Sequence, residues 1–300
     1  MRVLIVGCGY VGLPLGAELV CQGHEVFGLR RSAAAENELE AAGIKPLVAD
    51  ITRPETLAQL PRGFDWVVNC VAAGGGVENY RRVYLEGTRN LLEWLAFAPP
   101  EKFVHTGSTG VYVQYDGSVV TEESSADPVA ETAKILRKTE NVLLAAARKN
   151  FPAVILRVAG IYGPGRGHWF KQFLRGEARI EGDGSRFLNM IHRDDVAGCI
   201  IAALKNGRAG EIYNASDDEP VSQLNFFAWL AETLGKPLPP SVTETPDERK
   251  RGVTAKRVSN HKLKTELGYQ FKYPDFRKGC AAEISRPESP GKWRVARHER

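Results

Sequence analysis

The tightest constraint on this chain is the loop Gly7-Cys8-Gly9-Tyr10-Val11-Gly12, taken together with what flanks it. Ahead of it, Val3 to Val6 is a short apolar run rich in β-branched residues, the pattern of a parallel strand buried on both faces. Behind it, apolar residues from Val11 to Val20 recur at helical spacing and stop before Gln22-Gly23. Strand, glycine turn and helix in that order make a dinucleotide fingerprint of a G-x-G-x-x-G pattern that is weak alone. Gly7 is expected to permit the tight turn, Gly9 to let backbone approach a pyrophosphate, and Gly12 to let the helix pack closely on the strand. The helix would then offer its unpaired N–H groups and positive dipole end to the phosphates, with Tyr10 and Val11 among the expected cofactor-binding residues. Cys8 completes the expected cofactor-binding stretch, and Pro14 falls in the first turn, where a missing N–H costs little.

A second strand, Glu25 to Leu29, ends in Arg30-Arg31. A site for NAD usually places an acidic residue here to hold the ribose 2′-hydroxyl. Two guanidinium forks instead match the oxygens of a 2′-phosphate, so the expected cofactor is NADP, with NAD as the other option.

The 300 residues are enough for one large α/β domain or two lobes, and no apolar run reaches the roughly 18 residues that span a bilayer. Five scattered cysteines, none in C-x-x-C spacing, suit a reducing cytoplasm and argue against disulfides or a metal cluster. Residues 286–300 hold five basic residues against two glutamates, so three of the chain's four net positive charges lie there. A near-neutral body with a basic tail is a poor nucleic-acid binder, and 281–300 reads as a disordered tail.

Along the chain, strands are expected at Ile44–Ala49, Trp66–Val71, Lys102–Thr106 and Ala153–Val158, with helices at Ala33–Ala42, Pro54–Leu60, Val77–Phe97 and Val129–Asn150. Asp116 to Pro128 reads as an exposed loop. The alternation predicts a doubly wound parallel sheet, the Rossmann type of α/β fold, over residues 1–165. Residues 166–280, where it loosens, read as a smaller substrate lobe on the carboxyl edge of the sheet. Asp50-Ile51 closes the third strand at that ligand-facing edge. After the fourth strand, Val71-Ala72-Ala73-Gly74 offers backbone that can approach a cofactor or, at Gly74, a substrate. Val158 ends the sixth strand at the same edge, and His192 with Asp194-Asp195 are expected to anchor the start of a helix at Val196.

Several motifs occur in order: the glycine loop, Asp50-Ile51, Gly87-Thr88, Ser108 with Val111-Tyr112, Leu156-Arg157 with Ile161-Tyr162-Gly163-Pro164-Gly165, and Ile191-His192-x-Asp194-Asp195-Val196. Over about residues 1–270 the chain resembles the extended short-chain dehydrogenase/reductases of the NAD(P)-dependent epimerase/dehydratase type. The resemblance implies a Tyr-x-x-x-Lys pair for proton transfer and a serine, at Ser108, for the reacting oxygen. Counting back from Glu140 puts Thr132 at the tyrosine position and Leu136 at the lysine position, and no tyrosine in the chain is followed four residues later by lysine. The catalytic candidates are therefore Ser108, Tyr112 and Thr132, with His105 and Glu131 also near the vacated position. The resemblance places Arg186 near the substrate, and in many relatives the two long helices pair across a homodimer.

These residues predict an atypical NADP-dependent oxidoreductase or epimerase/dehydratase-like enzyme acting on a small polar substrate, nucleotide sugars included. The alternative is a non-catalytic NADPH-binding sensor or regulatory protein. Neither a metal, nor nucleic acid, nor a membrane is expected as a partner.

Overall fold

A computed structural model describes residues 1–243 and 254–286. Seven parallel strands form its central sheet: β1 (Arg2–Val6), β2 (Glu25–Arg30), β3 (Lys45–Val48), β4 (Trp66–Asn69), β5 (Lys102–Ser108), β6 (Ala153–Val158) and β7 (Ile212–Ala215). Their spatial order is β7-β6-β5-β4-β1-β2-β3, so the winding reverses between β1 and β4. The crevice beyond the carboxyl ends of the strands at such a reversal is where open α/β sheets bind ligands.

The apolar run of the first strand is divided between two cores because successive side chains point to opposite faces. Val3 and Ile5 pack with Leu15 and Leu19 of α1 (Gly12–Cys21), while Leu4 and Val6 join Leu91, Trp94 and Leu95 on the other face. After the short helices α2 (Glu36–Ala41) and α3 (Pro54–Leu57), the expected helix from Val77 is composite. It runs as α4 (Val77–Tyr80), a π-helical turn over Arg81–Glu86, and α5 (Gly87–Leu95). Its outward positions Glu78, Arg82, Glu86, Arg89 and Glu93 are charged.

The α6 helix (Glu131–Ala147) is shorter at both ends than its apolar pattern suggested. Asp116 to Pro128 is more than an exposed loop, because Val119–Val120 pairs in parallel with Arg257–Val258 and Gly117 N donates to Ala255 O.

The division at residue 165 also needs correction. The α8 helix (Arg193–Asn206) packs in the core of the sheet, and β7 closes the sheet beside β6, although both fall in the range assigned to the lobe. The second lobe has its own core, in which α7 (His168–Arg175), α9 (Gln223–Leu234) and α11 (Phe276–Ser285) bring together Phe170, Phe173, Phe227, Leu230 and Phe276. α10 (His261–Leu267) packs on the sheet core through Leu263 and Leu267. Helix α11 takes residues 281–285 out of the expected tail, whose remainder from 287 lies outside the described residues. Among the described residues, no helix is long and apolar enough to cross a membrane.

Candidate functional site

At the winding reversal the sheet opens into a cleft of about 480 Å³, and the glycine loop forms its floor. Gly7 has φ +88°, and a Cβ there would lie 2.8 Å from the Val71 backbone. A Cβ on Gly12 would meet Gly7 O at 2.9 Å and Ile5 Cγ2 at 3.0 Å, the close helix–strand approach expected of the third glycine. A Cβ on Gly9 would meet nothing nearer than 3.9 Å, so that face of the loop is open to the cleft. The Gly7 and Cys8 N–H groups are tied to Leu29 O, whereas those of Tyr10 and Val11 have no acceptor among the described residues. Two orphan donors beside an open glycine at the N-terminus of α1 fit a pyrophosphate, and the site accepts a dinucleotide on that ground.

Most of the expected cofactor residues line this cleft: Gly7, Gly9, Tyr10, Val11, Arg30, Arg31, Asp50, Ile51, Val71, Ala72 and Val158. Cys8 does not, since it is fully buried and its thiol packs under Gly28. Burial pushes that thiol up to about 12, and the contribution of Cys8 to the site is a carbonyl that accepts from Arg30 Nε at 2.8 Å. Gly12 shapes the loop from behind without facing the cleft. Ala73 and Gly74 also lie off the wall, and the Ala73 N–H donates to the Tyr84 hydroxyl at 3.2 Å. The two arginines differ. Arg30 is paired with Glu38 at 3.2 Å, while the exposed guanidinium of Arg31 has no partner among the described residues.

Ser108 sits at the inner end, where β5 runs into a single 3₁₀ turn, and its Oγ accepts from Gly110 N at 3.1 Å. It lines both the cleft and a second cavity of about 250 Å³. The second cavity has an apolar wall that includes Trp169, Phe187, Met190 and Phe226, and its polar groups include His168, Arg186, Asn189 and Lys256. Arg186 stands 3.7 Å from Glu181 and 5.2 Å from the Trp169 ring centroid. The Lys256 ammonium donates to Tyr112 O at 3.2 Å and to Thr254 Oγ1 at 2.8 Å. The Asn189 amide holds that segment by donating to Lys256 O and accepting from Val258 N.

The remaining catalytic candidates are not at this junction. Tyr112 lines neither cavity: its buried hydroxyl donates to Asn214 Oδ1 at 2.8 Å and accepts from Arg157 Nη1 at 2.9 Å. Burial raises its pKa further, which is the wrong direction for an acid near neutral pH. Thr132, on α6, also lines neither cavity, and Leu136 is packed among Tyr80, Tyr84, Val111 and Ile135. Glu131 forms a surface pair with Lys134 at 2.7 Å. His105 is buried, and desolvation lowers its pKa to about 4, so its imidazole is neutral. Glu140, used to locate the missing pair, is bound in both its oxygens by the equally buried Arg157 at 2.9 and 2.8 Å.

Of the residues expected to anchor the start of α8, His192 makes the side-chain cap and the two aspartates do not. The His192 Nδ1 accepts from Asp194 N, while Asp195 accepts from Tyr269 Oη, Lys272 N and Tyr273 N and so anchors the chain after α10.

The structure adds Val83, Tyr84 and Arg166 to the cleft and Lys256 to the second cavity. The Pro164-Gly165 turn signal marked the place of Arg166, but nothing local marked the others. Among the described residues, no group of three His, Cys, Asp or Glu side chains is placed to hold a metal ion.

A parallel sheet with this winding, an open glycine loop and a second cavity joined to the first along Ser108, Ala159, Gly160 and Ile161 define a Rossmann-type protein of the NAD(P)-dependent oxidoreductase and epimerase kind. The sequence profile described as the NAD dependent epimerase/dehydratase family matches residues 3–216, and the chain belongs to that family. It is 28% identical to protein YeeZ of Escherichia coli strain K12, over 91% of this chain and 97% of that protein. It is 26% identical to a 3-diazoavenalumate denitrifying reductase of a Streptomyces species, over 94% of this chain and 100% of that protein. A solved structure from Methylobacillus flagellatus, a candidate NAD-dependent epimerase/dehydratase, shares 34% identity at a TM-score of 0.74, covering 94% of this chain and 97% of that one.

Proposed function

We propose that this protein is a cytoplasmic NADP-dependent reductase- or epimerase-like enzyme that works without the tyrosine–lysine pair. The observation that carries the reading is the continuity of the site. Orphan N–H groups at Tyr10 and Val11 lie at one end, and the shared wall at Ser108 leads into a separate cavity at the other. Arg31 supplies the 2′-phosphate contact, since its fork is not spent on a protein carboxylate as that of Arg30 is. When bound, the dinucleotide would donate or accept a hydride at its nicotinamide.

Ser108 orients the reacting oxygen, and the Lys256 ammonium on the same cavity wall offsets the negative charge that develops there. The substrate is a small molecule with an apolar body against Trp169 and Phe187 and a polar or anionic group near Arg186. Nucleotide sugars are one such class.

The second reading, an NADPH-responsive binding protein without turnover, is favoured by one feature. The place of the lost pair is filled by packed Leu136 rather than left open to the cleft.

Calorimetric titration with NADPH and NADH tests the cofactor. NADPH is expected to bind at least about tenfold more tightly, and Arg31→Ala is expected to remove that preference. Equal affinities in the wild type would overturn the assignment of Arg31. NADPH absorbance is then followed across a panel of carbonyl compounds and nucleotide sugars. Loss of absorbance with any of them favours the enzyme, and tight binding with no turnover favours the sensor.

A further inference from the structure

We propose that Arg166 is a second phosphate-binding residue of the cleft, reaching the pyrophosphate of the dinucleotide from beside the glycine loop. The proposal rests on the reading of the cleft as a dinucleotide site. Three arginines line that cleft, and Glu38 neutralises Arg30. Among the described residues, Arg31 and Arg166 have no acidic partner and no hydrogen bond leaves either guanidinium. An NADP molecule carries two separate phosphate sites, a 2′-phosphate and a pyrophosphate bridge. Arg31 follows β2 at the ribose side of the cleft, so it answers to the first.

The position of Arg166 answers to the second. Its guanidinium carbon lies 4.2 Å from the ring centroid of Tyr10, the loop residue whose own N–H has no acceptor. The charge is therefore held against the side chain of a residue that carries one of the orphan donors, on the wall of the same cleft.

The backbone holds it there. Gly163 and Arg166 exchange both hydrogen bonds, N to O, at 3.2 and 2.9 Å, around Pro164 and a Gly165 with φ +66°. Proline followed by a positive-φ glycine is the pattern of a type II turn, so Arg166 leaves a preset hairpin. The hairpin is seated on the loop, since a Cβ on Gly163 would come within 3.3 Å of the Tyr10 hydroxyl and 3.0 Å of His192 Nε2. Arg193 also approaches the Tyr10 ring, at 5.3 Å, but two hydrogen bonds of 3.0 and 2.9 Å commit it to Asp194, and it does not line the cleft. Arg166 is thus the guanidinium on this wall with its charge left to spend. A cation stacked on Tyr10 solely for packing would predict no effect on dinucleotide affinity.

The test is calorimetric titration of the full chain and of its Arg166→Met, Arg166→Lys and Arg31→Ala variants with NADPH, NADH and adenosine 2′-monophosphate, which lacks the pyrophosphate. Arg166→Met is expected to bind NADPH and NADH about ten- to a hundred-fold more weakly, the effect of losing a charge-assisted hydrogen bond. Its affinity for adenosine 2′-monophosphate is expected to stay at the wild-type value, and Arg166→Lys to recover part of the loss. Arg31→Ala should show the converse, losing NADPH and adenosine 2′-monophosphate while keeping NADH. Unchanged melting of Arg166→Met, an exposed position, guards against a folding artefact. Wild-type affinity of Arg166→Met for both dinucleotides would overturn the proposal alone, as would equal loss of all three ligands. Failure of the wild-type chain to bind either dinucleotide would overturn the reading of the cleft as well.

Discussion

The loop between β1 and α1 and the head of α6 are the two places where this family's chemistry would be looked for, and they are built on opposite terms. Around the loop and its cleft, polar groups have no partner among the described residues: the Tyr10 and Val11 N–H groups, the Arg31 guanidinium and the Arg166 guanidinium. Behind α6, the buried Arg157 is spent on Glu140 and Tyr112, and the Tyr112 hydroxyl on Arg157 and Asn214. Unpaired donors around a cavity cost stability and persist where a ligand supplies the missing acceptor. A closed network contributes to the fold and leaves nothing for a substrate. The difference separates a binding site from a structural one even though both carry family motifs.

The sharpest way to break the comparison is Glu140→Ala. It strands a guanidinium that is 1% exposed, and is expected to cost about 3–5 kcal/mol in chemical denaturation while leaving the NADPH affinity of the folded protein unchanged. A loss of affinity as large as the loss of stability would show that the two regions are not separate.

His105 comes next. Its pKa is lowered to about 4 from 6.5, so the unfolded chain binds the extra proton between those values. Its contribution is complete above about pH 6.5 and is lost as pH falls toward 4, amounting to a drop of about 2 kcal/mol between pH 7 and pH 5. Denaturation midpoints of wild type and His105→Asn across that range check it, and parallel profiles would contradict it.

Gly9→Ala is the mirror image of the Glu140 change, because its methyl group meets only open cleft within the protein. It should weaken both dinucleotides by about tenfold, or about 1.4 kcal/mol, with melting unchanged. A fall in melting temperature with affinity retained would reverse the roles assigned to the loop.

Tyr112→Phe is the smallest change. Arg157 and Asn214 each lose one partner, at about 1 kcal/mol of stability. Turnover, once a substrate is found, should survive it. Abolished turnover with intact NADPH binding would return Tyr112 to the catalytic role that its place in the sequence suggested.

The sequence made the nucleotide half legible because that half is local. A strand, three glycines and a helix determine their own geometry, and Gly7, Gly9 and Gly12 hold the positions their spacing assigned. Arg31, Asp50 and Val158 were legible for a similar reason, since the carboxyl end of every parallel strand reaches the same edge. Tyr112 was misjudged because closeness to Ser108 along the chain says nothing of where a side chain points. Its partners lie 45 and 102 residues further on, in β6 and β7. Lys256 was missed for the converse reason, since it reaches the second cavity only because Asn189 and the pairing of Val119–Val120 with Arg257–Val258 hold its segment there. Arg30 and Arg31 read alike as letters, and only the placement of Glu38 divides them.

The π-helical turn at Arg81–Glu86 carries one residue more than an α-helix would need. It connects two fixed faces, Leu91, Trp94 and Leu95 in the sheet core and Val83 with Tyr84 on the cleft. Deleting one residue would let the helix wind regularly with the segments on either side kept in phase, but would remove the bulge that contains Val83 and Tyr84. The turn therefore takes up one residue of slack, and a chain shortened by one residue here would keep its core while moving Tyr84 relative to the cleft wall.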